Sequence, residues 1–181
     1  MRVLLISPFA IVPRDWVPYF PQEPLGLEYL AASLVPSHEV GILDCVAEFW
    51  NQYRQLPDGS LWVGASLEQI RNRIEAFAPQ IIGITMQFCN QEFAIAEITK
   101  LVKQINPYIT TVVGGCAACA EPEKLMDRCK DIDIIVIGEG EVTIREIADK
   151  QALNLDVIKG ILYCSNGKIV RNPNRHYIED I

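Results

Sequence analysis

The chain has 181 residues, a mass of 20.3 kDa and a formal net charge of −7. Half of its residues are apolar and 22% are charged, a composition typical of a globular protein that excludes a disordered chain. The negative charge argues against a nucleic-acid partner, because binding to phosphates needs a basic patch.

The distribution of apolar residues argues against secretion and against a membrane span. The apolar run 3–6 is too short for a secretory signal, and no apolar stretch reaches the ~20 residues of a membrane helix. The chain has six cysteines and only two histidines, which leaves little room for a histidine-rich metal site. We therefore expect a cytoplasmic protein with reduced thiols and no membrane partner.

Short apolar runs alternate with segments of helical periodicity along the first 150 residues. The runs cover 3–6, 39–44, 81–85, 110–113 and 132–137. This alternation is typical of a parallel sheet covered by helices on both faces. The sequence predicts an α/β, flavodoxin-like (Rossmann-like) three-layer sandwich with a five-stranded parallel sheet in the order 2-1-3-4-5.

Two irregular segments interrupt this alternation. A loop rich in proline and aromatic residues covers 7–23, and a polar-aromatic excursion covers 45–64. Long loops in compact domains are often functional. Pro24 stands where a first helical turn favours proline, and Ser66 is a candidate N-cap for the following helix.

The C-terminal region has a different character. Apolar residues at 160–164 and 168–171 flank Asn166-Gly167, the pair that favours a two-residue β-hairpin turn. No further apolar element follows. We therefore expect an α/β domain over 1–155 and, over 156–181, a hairpin and linker toward a domain that lies beyond this sequence.

Glycines follow two neighbouring strands of the predicted sheet where each strand ends. Gly114-Gly115 follows the fourth strand, and Gly138-Glu139-Gly140-Glu141 follows the fifth. Glycine has no Cβ, so a ligand can approach the backbone closely there. Ligands of open α/β sheets bind at the carboxyl edge of the strands, and the predicted order places the switch point between the first and third strands. Thr85-Met86-Gln87 leaves the third strand at this edge, either as a helix N-cap or with polar groups facing the crevice.

Other chemistries receive less support from the sequence. Cys116 and Cys119 form a single CxxC, whereas a zinc site needs about four ligands, so a redox or metal role is an alternative to simple packing of small residues. Glu139 and Glu141 have no His, Lys or Ser in an obvious catalytic relation to them. No GxGxxG follows the first strand and no Walker A motif occurs, which argues against dinucleotides and triphosphates. We assign no catalytic residue and no protein metal ligand.

Several motifs in this order carry a family resemblance that covers nearly the whole chain. They are residues 3–8, 24–34, 42–44, 79–85, 113–115 and 138–141, followed by 158–163, Asn166-Gly167 and 177–180. Together they resemble the N-terminal cobalamin-binding domain of class B radical S-adenosylmethionine enzymes. The tail, including 177–180, is similar to that family's bridge into its catalytic barrel.

The resemblance implies a cobalamin-binding module that is not catalytic alone. The corrin would lie against the carboxyl edge, with the nucleotide tail in a groove away from cobalt. The implied cofactor contacts are Ser7, Pro8, Pro24, Leu25, Gly26, Thr85, Met86, Gln87, Gly114, Gly115, Cys116, Gly138, Glu139, Gly140 and Glu141. A 4Fe-4S cluster and S-adenosylmethionine would belong to the C-terminal radical domain, and the full-length protein would transfer methyl groups or do related radical chemistry.

Two departures from the family pattern shape the expectation. Ser7-Pro8-Phe9-Ala10 stands where other cobalamin domains carry Asp-x-His-x-x-Gly, so we expect base-off cobalamin without a histidine ligand. Ala117 stands where many relatives have a histidine after the Gly-Gly pair. One alternative is therefore a cofactor-free structural or substrate-docking domain. Another is a flavodoxin-like thiol redox or regulatory protein that uses Cys116 and Cys119.

Overall fold

The computed structural model describes residues 1–16 and 19–176. Its strands are β1 (Arg2–Ser7), β2 (Ala10–Val12), β3 (Glu39–Asp44), β4 (Tyr53–Gln55), β5 (Leu61–Val63), β6 (Ile81–Thr85), β7 (Thr110–Gly114), β8 (Ile134–Val136), β9 (Ile161–Ser165) and β10 (Lys168–Arg171). Its α-helices are α1 (Leu25–Leu34), α2 (Leu67–Phe77), α3 (Glu92–Ile105), α4 (Cys116–Ala120), α5 (Pro122–Arg128) and α6 (Glu141–Asp149). In the described part of the chain, no helix is long and apolar enough to cross a membrane.

The central sheet confirms the predicted fold and strand order. Its order is β10-β9-β8-β7-β6-β1-β3, and β3, β1, β6, β7 and β8 are parallel. Numbered among themselves, these five parallel strands have the order 2-1-3-4-5. The sheet has seven strands rather than five, because β9 pairs antiparallel with β8.

The predicted C-terminal hairpin is present and extends this sheet. Asn166 and Gly167 both have positive φ, 51° and 74°, as a type I′ turn between β9 and β10 requires. The hairpin is thus part of the α/β layer and not a separate appendage. Residues 177–180, which carried the last part of the family resemblance, lie outside the described residues.

A second, three-stranded antiparallel sheet is formed within the two irregular segments 7–23 and 45–64, for which the sequence predicts no strands. Its order is β2-β5-β4. The ring of Phe9 stacks on Trp62 at a centroid distance of 3.5 Å, and the Trp62 Nε1 donates to the Ala65 carbonyl at 2.9 Å. These contacts attach the small sheet to the end of β1.

Helices cover the two faces of the main sheet in different pairs. On the α2–α3 face, Ile70, Ile74, Ile95 and Ile98 pack on alternate strand residues such as Ile84. On the α1–α6 face, Leu27, Leu34, Ile144 and Ile147 pack on the other alternate residues, such as Leu5. The period of two along each strand separates the two apolar layers.

The start of α2 follows the sequence prediction. Ser66 is its N-cap: the Gln69 N–H donates to Ser66 Oγ at 3.2 Å, and the Ser66 N–H donates to Gln69 Oε1 at 2.8 Å. Pro24 precedes α1 as its N-cap residue and provides no side-chain hydrogen bond.

Candidate functional site

Two neighbouring clefts open at the carboxyl edge of the sheet. The first, which we call the slot, has an empty volume of about 790 Å³, including its part open to solvent. It runs between the sheet and the α1–α6 pair. Its walls are Leu5, Gly26, Leu27, Leu30, Gly83, Ile84, Thr85, Gln87, Val112, Gly114, Gly115, Val136, Gly138, Glu139, Gly140, Glu141 and Ile144.

The second cleft, the switch-point cleft, lies where β1, β3 and β6 end. Its empty volume is about 900 Å³. It is lined by Ser7, Pro8, Ala10, Tyr19, Phe20, Pro21, Gln22, Glu23, Pro24, Leu25, Gly26, Leu27, Asp44, Val46, Thr85, Gln87, Phe88 and Gln91. Gly26, Leu27, Thr85 and Gln87 line both clefts, so the two form one continuous depression.

The slot exists because glycines replace larger side chains on one face of the sheet. Gly83 stands in register between Leu5 and Val112. A Cβ on Gly83 would lie 2.8 Å from Leu5 Cδ2, so a side chain there would occupy the slot and displace the Leu5 side chain. One row nearer the edge, Gly114 pairs with Thr85, and a Cβ on Gly114 would make an ordinary 3.7 Å contact with Val136 Cβ.

Two of the predicted ligand-contacting glycines also serve the packing of the chain on itself. A Cβ on Gly115 would lie 2.5 Å from the Met86 carbonyl oxygen, and Gly115 has a φ of 113°. A Cβ on Gly140 would lie 2.9 Å from Leu30 Cδ2, where α6 begins beside α1. Gly115 is therefore required by the fold as well as available to a ligand, whereas a side chain at Gly140 would need the Leu30 side chain to move.

The polar groups of the slot lie at its mouth and at the start of α6. Gln87 Nε2 donates to Thr85 Oγ1 at 3.1 Å. Glu139 and Glu141 are the charged residues that line the slot. Glu141 Oε2 is buried and has no hydrogen-bond partner among residues 1–16 and 19–176. Such an oxygen is a candidate acceptor for a donor that a ligand supplies.

The structure decides between the two interpretations of Thr85-Met86-Gln87. These residues do not cap a helix, because α3 begins only at Glu92, with Gln91 as its N-cap residue. Gln91 Oε1 instead accepts the N–H groups of Gln87 and Phe88 at 2.8 and 3.0 Å. Thr85 and Gln87 line both clefts. Met86 has its side chain buried in the α2–α3 face and lines neither cleft.

The other predicted site residues divide between the clefts, with one exception. Ser7, Pro8, Pro24 and Leu25 line the switch-point cleft. Cys116 is exposed at the start of α4 and lines neither cleft.

Sequence reasoning missed Asp44 as a candidate site residue. Asp44 is 8% exposed, lines the switch-point cleft, and its Oδ1 accepts the N–H groups of Val46 and Ala47 at 3.0 and 2.9 Å. Its place at the end of a predicted strand beside the switch point was the signal that could have found it. The apolar walls were also missed, because Leu5 and Val112 become a wall only once their register with Gly83 is known.

Histidine and cysteine side chains lie mostly away from the clefts. His38 is at the amino edge, with Nε2 2.9 Å from Asp149 Oδ1 and Nδ1 3.1 Å from the Met1 amino group. All six cysteines are free thiols, and Cys119 Sγ donates to the Val136 carbonyl at 3.5 Å. Across the described residues, no group of three or more His, Cys, Asp and Glu side chains is arranged to hold a metal ion.

Comparisons with known proteins identify the same fold and relate the chain to larger proteins. A family model described as a B12 binding domain matches residues 17–148. An uncharacterized methyltransferase of Pyrococcus horikoshii is 31% identical over 100% of this chain and 36% of its own length. Cytidylyl-2-hydroxyethylphosphonate methyltransferase of Streptomyces wedmorensis is 34% identical over 78% of this chain and 27% of its own length. The chain thus spans about a third of the length of these relatives.

A solved structure shares the architecture at low sequence identity. A cobalamin-binding protein from Desulfitobacterium hafniense superposes with a TM-score of 0.54 at 12% identity, covering 83% of this chain and 58% of the other. At this identity, the likeness establishes the α/β fold.

Proposed function

The chain belongs to the B12-binding domain family, and from this premise we propose that it holds a corrinoid cofactor at the carboxyl edge of its sheet. The corrin would lie over the switch-point cleft and the glycine turns, and the nucleotide tail would enter the slot. The observation that carries the proposal is the slot itself, an apolar recess that exists because Gly83 and Gly114 bear no side chains on the α1–α6 face.

The shape and chemistry of the slot fit a flat heteroaromatic base. It extends at least from the row of Thr85 and Gly114 to the row of Gly83 and Val112, two residues or about 7 Å along the strands. Aliphatic side chains from the strands and from both helices line it. A planar ring buried there would lose its contact with water on both faces, which is favourable.

The residues at the mouth have distinct proposed roles. Gly114 and Gly138 would let the corrin approach the backbone, since neither has a Cβ. Thr85 and Gln87 would offer hydroxyl and amide groups to polar substituents of the corrin. Ser7, Pro8, Pro24, Leu25 and Gly26 would form the wall beside the switch point, and Gly115, Gly140 and Glu139 complete the slot. Met86 and Cys116 line neither cleft, so we propose no direct contact for their side chains.

We propose that the cofactor is held base-off, with no histidine of this chain on cobalt. The support is positional: the residues after β1 are Ser7-Pro8-Phe9-Ala10, and Phe9 is fully buried against Trp62. His38 lies at the opposite edge of the sheet, paired with Asp149. A bound corrinoid supplies a cobalt centre that can carry a methyl group between a donor and an acceptor.

The proposed role of the longer protein follows from its relatives. Two of them are named methyltransferases, and others are named anaerobic magnesium-protoporphyrin IX monomethyl ester cyclases. We propose that the full-length protein joins this module to a radical S-adenosylmethionine domain, with its own 4Fe-4S cluster, and transfers methyl groups. Within this scheme the described chain binds and orients the cofactor and performs no turnover alone.

Titration of the purified chain with hydroxocobalamin tests the binding proposal. We expect saturable one-to-one binding, which calorimetry measures. The visible absorption bands should shift toward the base-off spectrum. The Ala32→Val variant adds bulk at an exposed position of α1 that lines neither cleft, so it should bind equally well. Absence of binding at high micromolar cobalamin would contradict the proposal and leave a cofactor-free docking domain as the function.

A further inference from the structure

Glu141 combines an unusual position with an unmet hydrogen bond. It is the first residue of α6 and lines the slot. Its carboxylate oxygen Oε2 is buried and has no hydrogen-bond partner in the described ranges 1–16 and 19–176. Its backbone lies beside α1, where the Ser33 hydroxyl is shared between the Leu30 carbonyl at 2.7 Å and the Glu141 carbonyl at 3.1 Å.

No donor among residues 1–16 and 19–176 forms a hydrogen bond with this carboxylate oxygen. Glu139 is the other charged residue of the slot, and α1 contributes Gly26, Leu27 and Leu30. The strands contribute glycine and aliphatic walls, and the polar side chains of Thr85 and Gln87 bond to each other at 3.1 Å. A carboxylate oxygen shielded from water by apolar walls is costly unless a donor reaches it.

We infer that Glu141 is the specificity-determining residue for the nucleotide base of the corrinoid, accepting a hydrogen bond from an N–H of that base inside the slot. This inference rests on the proposed function and deepens it. The apolar walls recognise any flat ring of suitable size. The buried carboxylate oxygen favours a base that brings an N–H over a ligand that does not, because an unmatched buried acceptor loses its hydration without gaining a partner.

Two kinds of base carry the required group. Adenine offers an exocyclic amino group, and a benzimidazole offers an N–H when its free ring nitrogen is protonated. The corrin itself carries amide N–H groups around its rim. A corrinoid that lacks the nucleotide can contact Glu141 only through its corrin amides. Comparing it with nucleotide-bearing corrinoids therefore shows whether Glu141 bonds to the base in the slot or to the corrin at the mouth.

The experiment measures the affinity of the chain for three corrinoids: cobinamide, which has no nucleotide, cobalamin, and a cobamide with adenine as its base. The variants are Glu141→Ala and Glu141→Gln, whose amide oxygen still accepts. The matched control is Glu28→Gln, which removes a carboxylate from an exposed position of α1 that lines neither cleft. Dissociation constants come from the visible absorbance, and thermal unfolding checks that each variant is folded.

Glu141→Ala should weaken at least one nucleotide-bearing corrinoid by about tenfold, the value of one hydrogen bond to a charged group. Cobinamide should change by less than about twofold in every variant. Glu141→Gln should retain most of the affinity, and Glu28→Gln should match the parent chain. A loss confined to the adenine cobamide assigns the amino group, whereas a loss with cobalamin assigns the ring nitrogen.

The outcomes separate this inference from the function on which it rests. If Glu141→Ala leaves both nucleotide-bearing corrinoids unchanged, or weakens cobinamide equally, the inference is wrong while corrinoid binding stands. If the parent chain binds none of the three corrinoids, both the proposed function and the inference are wrong.

Discussion

The two faces of the central sheet use the same strands to different ends. On the α2–α3 face, the central rows carry a side chain at each position, as with Ile6, Ile84 and Val113, which are almost completely buried. On the α1–α6 face, the neighbouring row is Leu5, Gly83 and Val112, and the glycine in the middle opens the slot. The α2–α3 face is fully packed and stabilises the fold, whereas the α1–α6 face is less densely packed where the slot opens.

The difference between the faces arises from single positions. Residues 83 and 84 are adjacent in β6 and point to opposite faces, so glycine at 83 leaves the α2–α3 face intact. A fold can therefore gain a binding recess on one face without weakening the core on the other. The experiments below test whether the two faces differ in stability and in ligand binding as this comparison requires.

The largest effect should come from opening a cavity in the α2–α3 face. Ile98 on α3 is completely buried in that cluster. Ile98→Ala should lower the free energy of unfolding by about 3 kcal/mol, because the side chain loses its contacts and leaves a void. Urea unfolding followed by circular dichroism measures this change. A loss under about 1 kcal/mol would show that this face is not tightly packed.

Filling the recess should affect binding more than stability. Gly114 has no positive φ, and a Cβ there makes only an ordinary contact with Val136. Gly114→Val should therefore fold but weaken hydroxocobalamin binding by about tenfold or more, since the added side chain occupies the slot. Calorimetry measures the affinity. Unchanged binding by a stable Gly114→Val variant would place the ligand elsewhere.

Adjacent valines of β7 allow a matched comparison of the two faces. Val113 is completely buried in the α2–α3 face, whereas Val112 is buried but lines the slot. Val113→Ala should cost about 2 kcal/mol of unfolding free energy and Val112→Ala about 1 kcal/mol, because Val112 already borders open space. Equal costs, measured in the same urea titration, would mean that the slot is closed by packing in solution.

The N-terminal cap of α2 should contribute to the stability of the α2–α3 face. Ser66 caps α2 with a reciprocal bond to Gln69, whereas α1 has no side-chain cap. Ser66→Ala should lower the free energy of unfolding by about 1 kcal/mol, because one N–H at the helix start loses its acceptor. The exposed Ser37→Ala variant is the control and should stay within about 0.5 kcal/mol of the parent. A Ser66→Ala variant as stable as that control would disprove the cap.

The alkylation of individual cysteines reports on the packing around each thiol. Cys45 and Cys129 are buried in the α2–α3 face, and burial raises the pKa of both thiols, with Asp44 adding to the shift at Cys45 and Glu92 at Cys129. Because the thiolate is the nucleophile, both should resist alkylation in the folded chain at pH 8. Exposed Cys89, Cys116 and Cys164 should react readily. Mass spectrometry after alkylation locates the labels, and early labelling of Cys45 would indicate an open face.

Much of the fold could be predicted because its signals are local. Apolar runs alternating with helical periodicity predict the parallel strands, and Asn166-Gly167 predicts the hairpin turn. The strand order does not follow from these local signals; it followed from choosing a flavodoxin-like topology for the sheet, and the structure confirms it. The pairing of that hairpin with β8 could not be predicted, since it depends on which sheet edge the chain meets. The sheet of β2, β5 and β4 was missed because strands of three residues carry no readable alternation.

The residues at the ends of the strands could be predicted as site residues, but the residues that line the slot inside the sheet could not. The glycine turns and the switch point follow from where strands end. Met86 was grouped with Thr85 and Gln87 because the three are adjacent, yet alternation points its side chain into the core. Gly83 is a glycine inside a strand, a known sign of close approach, but its meaning depends on its register with Leu5 and Val112. Register is a property of the folded sheet, which no local pattern specifies.

The most direct test of the two-face comparison is amide hydrogen exchange of the whole chain with and without hydroxocobalamin. We expect new protection at 25–27, 83–85, 87, 114–115 and 138–141, which line the slot and the adjoining cleft. The α2–α3 face, including 70–74 and 95–102, should be unchanged. Protection centred on the amino edge or on α2 and α3, or no change at saturating ligand, would contradict the assignment of the slotted face as the binding site.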